Sequence, residues 1–175
     1  LHMKEKGGEQ SIWTQVRDCD ALLHVVPNFN GYGSGDRKPR TEFKAIDQEL
    51  ILSDLMVAEK RLERLGCDRK KGKTPNPDEV KLLEQCAEHL NDARPLRHYP
   101  ELAGSPLLRG YAFLSGKPCL VLFNNGDEDE SLPELGTGAD RETCIAIRGK
   151  LEQELAQMAP DEAEGFLAEF DIRDP

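Results

Sequence analysis

The chain lacks the residue patterns that build a metal centre or a disulfide framework. Its five cysteines, at positions 19, 67, 86, 119 and 144, are odd in number and never form a C-x-x-C pair. Scattered thiols of this kind fit a reducing cytosol. Cys119 and Cys144 lie in apolar runs and read as small core residues. The four histidines are isolated, so no Ser-His-Asp or Cys-His grouping is visible and no metal is expected. No apolar run approaches the roughly 20 residues that a bilayer span needs. No secretory signal is visible, so a cytoplasmic protein without a membrane partner is expected. A net charge of −10 argues against general nucleic-acid binding.

What is present suits one α/β domain with a small appendage. The 175 residues are 38% hydrophobic and 32% charged, which leaves room for a core and for long exposed helices. The central stretch is residues 117–127 (KPCLVLFNNGD). Residues 119–123 form an uninterrupted apolar run, the pattern of a strand buried on both faces in a parallel sheet. Asn124-Asn125-Gly126-Asp127 then breaks the run. Ligands of open α/β sheets bind just beyond the carboxyl ends of strands. Two readings fit the tetrad. It is a turn of the usual turn residues, or a site where carboxamide and carboxylate read the edge of a purine. Asp suits guanine, whose ring N–H and exocyclic amine are adjacent donors.

Before that strand, residues 10–17 read as a short helix and residues 21–26 as a strand that stops at Pro27. His24 inside it reads as a core or strand-face residue rather than a ligand. Residues 27–40, with three Gly and two Pro, read as a loop. A helix over about 41–65 carries Ile51, Leu55, Ala58, Leu62 and Leu65 at coiled-coil spacing, with Gly66 as its cap. A second helix over about 78–91 carries Val80, Leu83, Ala87 and Leu90. Two such seams joined by a short linker predict an antiparallel hairpin. Residues 94–109 read as a connector. Residues 129–140 read as an acidic loop, and 143–147 as a further strand. Helices follow over about 151–158 and from Pro160, the last carrying Phe166 and Phe170.

Charge is unevenly spread. Residues 60–73 hold seven basic and two acidic side chains, whereas residues 124–175 hold fifteen acidic and four basic. The basic run reads either as a solvated helix end that suits the macrodipole or as a contact to RNA or phosphate.

Four segments in this order resemble the Obg-like ATPase (YchF) family of translation-factor-class P-loop NTPases. They are residues 16–26 (VRDCDALLHVV), 49–65 (ELILSDL to EKRLERL), 117–124 (KPCLVLFN) and 145–167 (IAIRGKLEQEL to DEAEGFL). The resemblance implies a partial Ras-like P-loop NTPase fold with an inserted antiparallel coiled-coil hairpin. Residues 1–40 and 110–175 would form the rear of the nucleotide domain, and residues 41–109 the inserted hairpin and connector. It implies GTP or ATP as ligand, with the base read by Asn124, Asn125, Gly126, Asp127, Arg148, Gly149 and Lys150. The family usually has Glu at the position of Asp127 and Ser-Ala at Arg148-Gly149. Base preference is therefore open, and the donor–acceptor chemistry tilts it to GTP.

The family's phosphate loop, its second-switch Asp-x-x-Gly and its small C-terminal β-domain (TGS) have no counterpart in these residues. Residues 4–10 resemble a remnant of the glycine-rich segment after that switch. No hydrolysis is expected from the chain alone, and Mg²⁺ only together with a phosphate loop. The chain thus reads as a piece of a longer nucleotide domain or as a divergent product without a phosphate site. The alternative is a non-enzymatic module that docks the hairpin on ribosome, RNA or protein through Arg69, Lys70, Lys71 and Lys73. Self-association through exposed sheet edges is a third expectation.

Overall fold

A computed structural model describes residues 8–29, 38–135 and 141–169. Helix α1 (Gly8–Arg17) leads into strand β1 (Leu22–Asn28). Helix α2 (Pro39–Lys70) is followed, after residues 71–76, by α3 (Pro77–Asn91). A connector with 3-10 turns at Leu96–His98 and Arg109–Tyr111 and a short α4 (Pro100–Ala103) returns to β2 (Cys119–Asn125). Strand β3 (Thr143–Ile147) and helices α5 (Gly149–Gln157) and α6 (Pro160–Glu169) complete the order. Parts of the expected loops at 27–40 and 129–140, most of segment 4–10, and Phe170 fall outside the described residues.

The three strands are parallel, in the order β1-β2-β3. Parallel neighbours cannot be joined by a tight hairpin, and the helical pair with its connector serves as the crossover from β1 to β2. One sheet face is closed: Val26, Val121 and Phe123 pack with Phe43 of α2 and Leu135. The ring of His24 stacks on Phe43, and burial holds its pKa below the ordinary histidine value.

The other face corrects the expectation that β2 is buried on both sides. Leu23 and Val25 are 59% and 52% exposed, and Ile145 is 40% exposed. Register places Val25, Leu122 and Ile145 side by side. These positions carry the apolar residues of a doubly covered strand, but among the described residues only one side has its cover.

Three local expectations also change. β1 does not stop at Pro27 but continues to Asn28, with Pro27 opposite Asn124. Among the described residues β1 is an edge strand, where a missing N–H is tolerated. β2 likewise runs two residues past Phe123, through Asn124 and Asn125. Gly66 does not cap α2, which continues to Lys70. The positive-φ glycine is instead Gly72, with φ +82°. Nothing lies within 4 Å of a methyl placed on Gly66, so its cost is the intrinsic one of about 1 kcal/mol. The tip hydrogen bonds at Lys71, Gly72 and Lys73 outlast it.

The helical pair packs on the expected seam. Ile51, Ala58 and Leu65 are buried, with Leu55 and Leu62 packed against them. On α3 the buried positions are Leu83, Cys86 and Leu90. Cys86, rather than Ala87, faces the seam, and burial pushes its thiol up to about 12. Asn76 caps α3 by accepting from the Asp78 N–H at 3.0 Å. Arg61 of α2 donates to Glu79 of α3 at 2.8 Å, and Tyr111 closes the same group from the connector.

Two buried ionic groups tie α2 to its surroundings, one to α1 and the segment before β2, the other to the connector and the foot of β3. Asp54, fully buried, accepts the N–H groups of Leu114 at 2.9 Å and Ser115 at 2.7 Å, with Arg17 beside it at 3.3 Å. Burial pushes its carboxyl above the usual value despite those bonds. Arg97 donates to Asp47 of α2 and to Glu142 at the foot of β3, both at 2.7 Å. Burial works to raise Glu142, but bonds from Arg97 and His98 outweigh it and hold the carboxyl low.

Ala93 and Ala112 adopt φ of 55° and 47° at the two ends of the connector. The left-handed region costs an L-residue about 1–2 kcal/mol. Ala112→Gly is therefore expected to raise stability by about 1 kcal/mol, or Tm by about 2–4 °C, in thermal unfolding.

Candidate functional site

The carboxyl ends of the strands converge on one cavity. β2 delivers Asn124 and Asn125, and register sets Asn124 beside Ile147, the last residue of β3. The chain leaves β3 through Arg148 and enters α5 at Gly149. Asn124 Oδ1 accepts the Gly149 N–H at 2.9 Å. A methyl on Gly149 would stand 2.8 Å from that oxygen, so a larger residue there would have to displace the Asn124 carboxamide from its present position. The bond joins the end of β2 to the start of α5, 25 residues apart in sequence.

Asp127 faces Lys150 across the same opening, with Oδ2 and Nζ 3.1 Å apart. Glu154, one turn along α5, stands 3.6 Å from the same ammonium. The bond to Asp127, followed by the charges of Asp127 and Glu154, raises the Lys150 pKa. Arg148 turns away and pairs with Glu130 at 2.8 Å. Asp129 accepts from the Ser131 N–H and hydroxyl, which lower its pKa and fold the loop into an Asx turn.

These groups enclose a cavity of about 510 Å³ lined by Asn124, Asn125, Gly126, Asp127, Lys150 and Phe29, among others. Of the seven base-site residues read from the sequence, five line it. Gly149 is tied to it through its N–H bond to Asn124, and Arg148, paired with Glu130, is not among the lining residues. Asn125 is 2% exposed, and its carboxamide is engaged by Asn28, Asp129 and Ser131. Its backbone is what remains to meet a ligand. Arg69, Lys70, Lys71 and Lys73 do not line the cavity. They sit exposed at the tip of the helical pair, where Lys73 pairs with Asp68 at 2.9 Å.

Sequence reasoning missed Phe29. It is 41% exposed and forms one wall of the cavity. Its signal was its place just past β1, beside the carboxyl end of β2, where such folds bind ligands. An aromatic face opposite a carboxylate and a carboxamide can stack on a planar heterocycle while the polar groups read its edge.

A parallel sheet with a helical pair between its first two strands, and a cavity at the strand ends, define an α/β domain with a candidate ligand site. The Schizosaccharomyces pombe YchF GTPase shares the fold, with a TM-score of 0.76 over 99% of this chain and 52% of that one, at 20% identity. Curated relatives are named ribosome-binding ATPase YchF. The Escherichia coli O157:H7 protein is 26% identical over 183 residues and the Pasteurella multocida protein 28% over 184. The Bacillus subtilis protein is 26% identical over 187. Each alignment takes in 98% of this chain and 50% of the relative, so the chain spans about half the length of the curated relatives it matches. No protein-family model matches the chain. The resemblance to the YchF family read from four segments thus extends over nearly all of these residues.

Proposed function

We propose that this chain supplies the base-recognition half of a purine nucleotide site in a YchF-like GTPase or ATPase of the cytosol. One observation supports the reading: the Asn124–Gly149 bond ties the end of β2 to the start of α5 beside a cavity whose carboxamide, carboxylate and aromatic groups could receive a purine. Asp127 would accept from the base edge, displacing Lys150, whose stem can cover a ring face. Phe29 would stack from the other side. A carboxylate only accepts, so guanine, with two adjacent donors, fits Asp127 better than adenine, which offers one donor beside an acceptor. Phosphate binding, Mg²⁺ and hydrolysis would require groups outside these residues. Competition among GMP, AMP and CMP for the 175-residue chain tests this: GMP is expected to bind tightest and CMP not at all. Equal binding of all three would remove the base site.

A second reading concerns the hairpin, which we take as an insert over residues 41–109. Arg69, Lys70, Lys71 and Lys73 are exposed on a chain that is otherwise acidic, and several relatives carry "ribosome-binding" in their names. The tip would contact RNA phosphates. Replacing all four by Gln is expected to flatten the dependence of log affinity on log salt by about 0.7–0.9 per lost contact in RNA binding measured across salt. An unchanged slope would assign the tip to solvent. Exposed Leu23 and Val25 on edge strand β1 would also favour pairing of copies.

A further inference from the structure

The cavity's two walls belong to different strands. Phe29 follows β1 and Asp127 follows β2, and both stand just beyond a pair of register partners, Asn28 and Asn125. The Asn28 amide donates from Nδ2 to Asn125 Oδ1 at 2.9 Å. Asn125 Nδ2 donates to the carbonyls of Asp129 at 2.9 Å and Ser131 at 2.8 Å. Both Asn125 donors are thereby spent on loop carbonyls, which leaves its oxygen as the acceptor that Asn28 needs. The loop that carries Asp127 is thus hung from the sheet by one carboxamide, and that carboxamide is held in one orientation by the neighbouring strand. An unheld amide could flip, and each flip would present an oxygen to two carbonyls.

We propose that Asn28 is a positioning residue for purine selectivity. By orienting Asn125 it fixes the 126–131 loop, and so sets the distance between the Phe29 ring and the Asp127 carboxylate. The inference rests on the base site described above, and it goes beyond it by assigning a role to a residue that never meets the ligand. A base stacked on Phe29 reaches Asp127 only if the two walls keep one spacing. A buried amide pair with a purely structural task would instead lower stability without altering discrimination between ligands.

Guanosine and inosine separate the two tasks, because inosine lacks only the 2-amino group that would face Asp127. Their affinities for the 175-residue chain are to be measured by NMR titration. The wild type is expected to favour guanosine by about tenfold, the factor that follows from about 1.4 kcal/mol. In Asn28→Ala the ratio is expected to fall to about two or less, with guanosine binding weakened about fivefold to tenfold. Asn28→Asp keeps the volume but sets an acceptor against Asn125 Oδ1, so it should collapse the ratio equally and serves if the alanine variant fails to fold. A tenfold ratio retained in either folded variant overturns the inference while the base site stands. A wild type that binds neither nucleoside overturns the base site, and the inference with it.

Discussion

Replacing Arg97 by alanine is expected to cost about 3–5 kcal/mol of folding stability, because it strands a buried carboxylate. Arg97 and Glu142 have side chains only 8% and 3% exposed, and two more bonds run from the guanidinium to Asp47 and from His98 to Glu142. For a chain of this size the loss corresponds to a fall in Tm of about 10 °C or more. The effect should depend on pH in a defined direction. Glu142 is held below its ordinary value near 4.5 in the fold. It therefore contributes stability that is present above that value and lost as pH falls through its lower folded value. In Arg97→Ala the unpaired charge is what hurts, so protonation relieves it and the deficit shrinks on acidification. Asp54 acts in the opposite sense. Its folded pKa is raised above 3.8 by burial, so its ionised form costs stability, and the cost is relieved as pH falls through the raised value. Urea unfolding at pH 7 and pH 4 checks the prediction. A loss below about 1 kcal/mol at pH 7 would mean that the pair behaves as a solvated surface bridge.

Asn124→Ala is expected to weaken purine nucleotide binding by about 30-fold to 100-fold while costing only about 1–2 kcal/mol of stability. Two losses add. The carboxamide proposed to face the base would be gone, and the Gly149 N–H is left without its acceptor, so the start of α5, which carries Lys150, is released from the end of β2. Asn124→Asp separates the two effects: its carboxylate can still accept from the Gly149 N–H, but it cannot donate to a ligand. If binding in Asn124→Asp falls as far as in Asn124→Ala, the donated hydrogen bond matters more than the loop junction. Binding constants and thermal melts on both variants provide the check.

Much of the architecture was legible because its signals are periodic. The spacing of Ile51, Leu55, Ala58, Leu62 and Leu65 predicted the seam of α2, and the run at 119–123 announced the central strand. Strand and helix ends were less legible. Gly66 and Pro27 carry the local marks of termination, yet α2 and β1 run through them because tip hydrogen bonds and an edge position outweigh a modest local cost. The candidate site was legible where a side chain meets an opening, as at Asn124, Asp127 and Lys150. It was not legible where function depends on contacts between distant segments. Asn28 ends β1 and Phe29 follows it, and apart from that position nothing local distinguishes them. Only the parallel register of β1 with β2 sets them beside Asn125 and the cavity. The buried roles of Arg97 and Asp54 were hidden for the same reason, since their partners lie 37 to 61 residues away.

Backbone amide shifts during titration of the ¹⁵N-labelled chain with GMP test the central claim most directly. The account predicts saturable shifts confined to Phe29, the residues from Asn124 to Asp127, Gly149 and Lys150, reached only at far higher GMP in Asn124→Ala. Shifts centred on the hairpin tip, or none at saturating GMP, would contradict it.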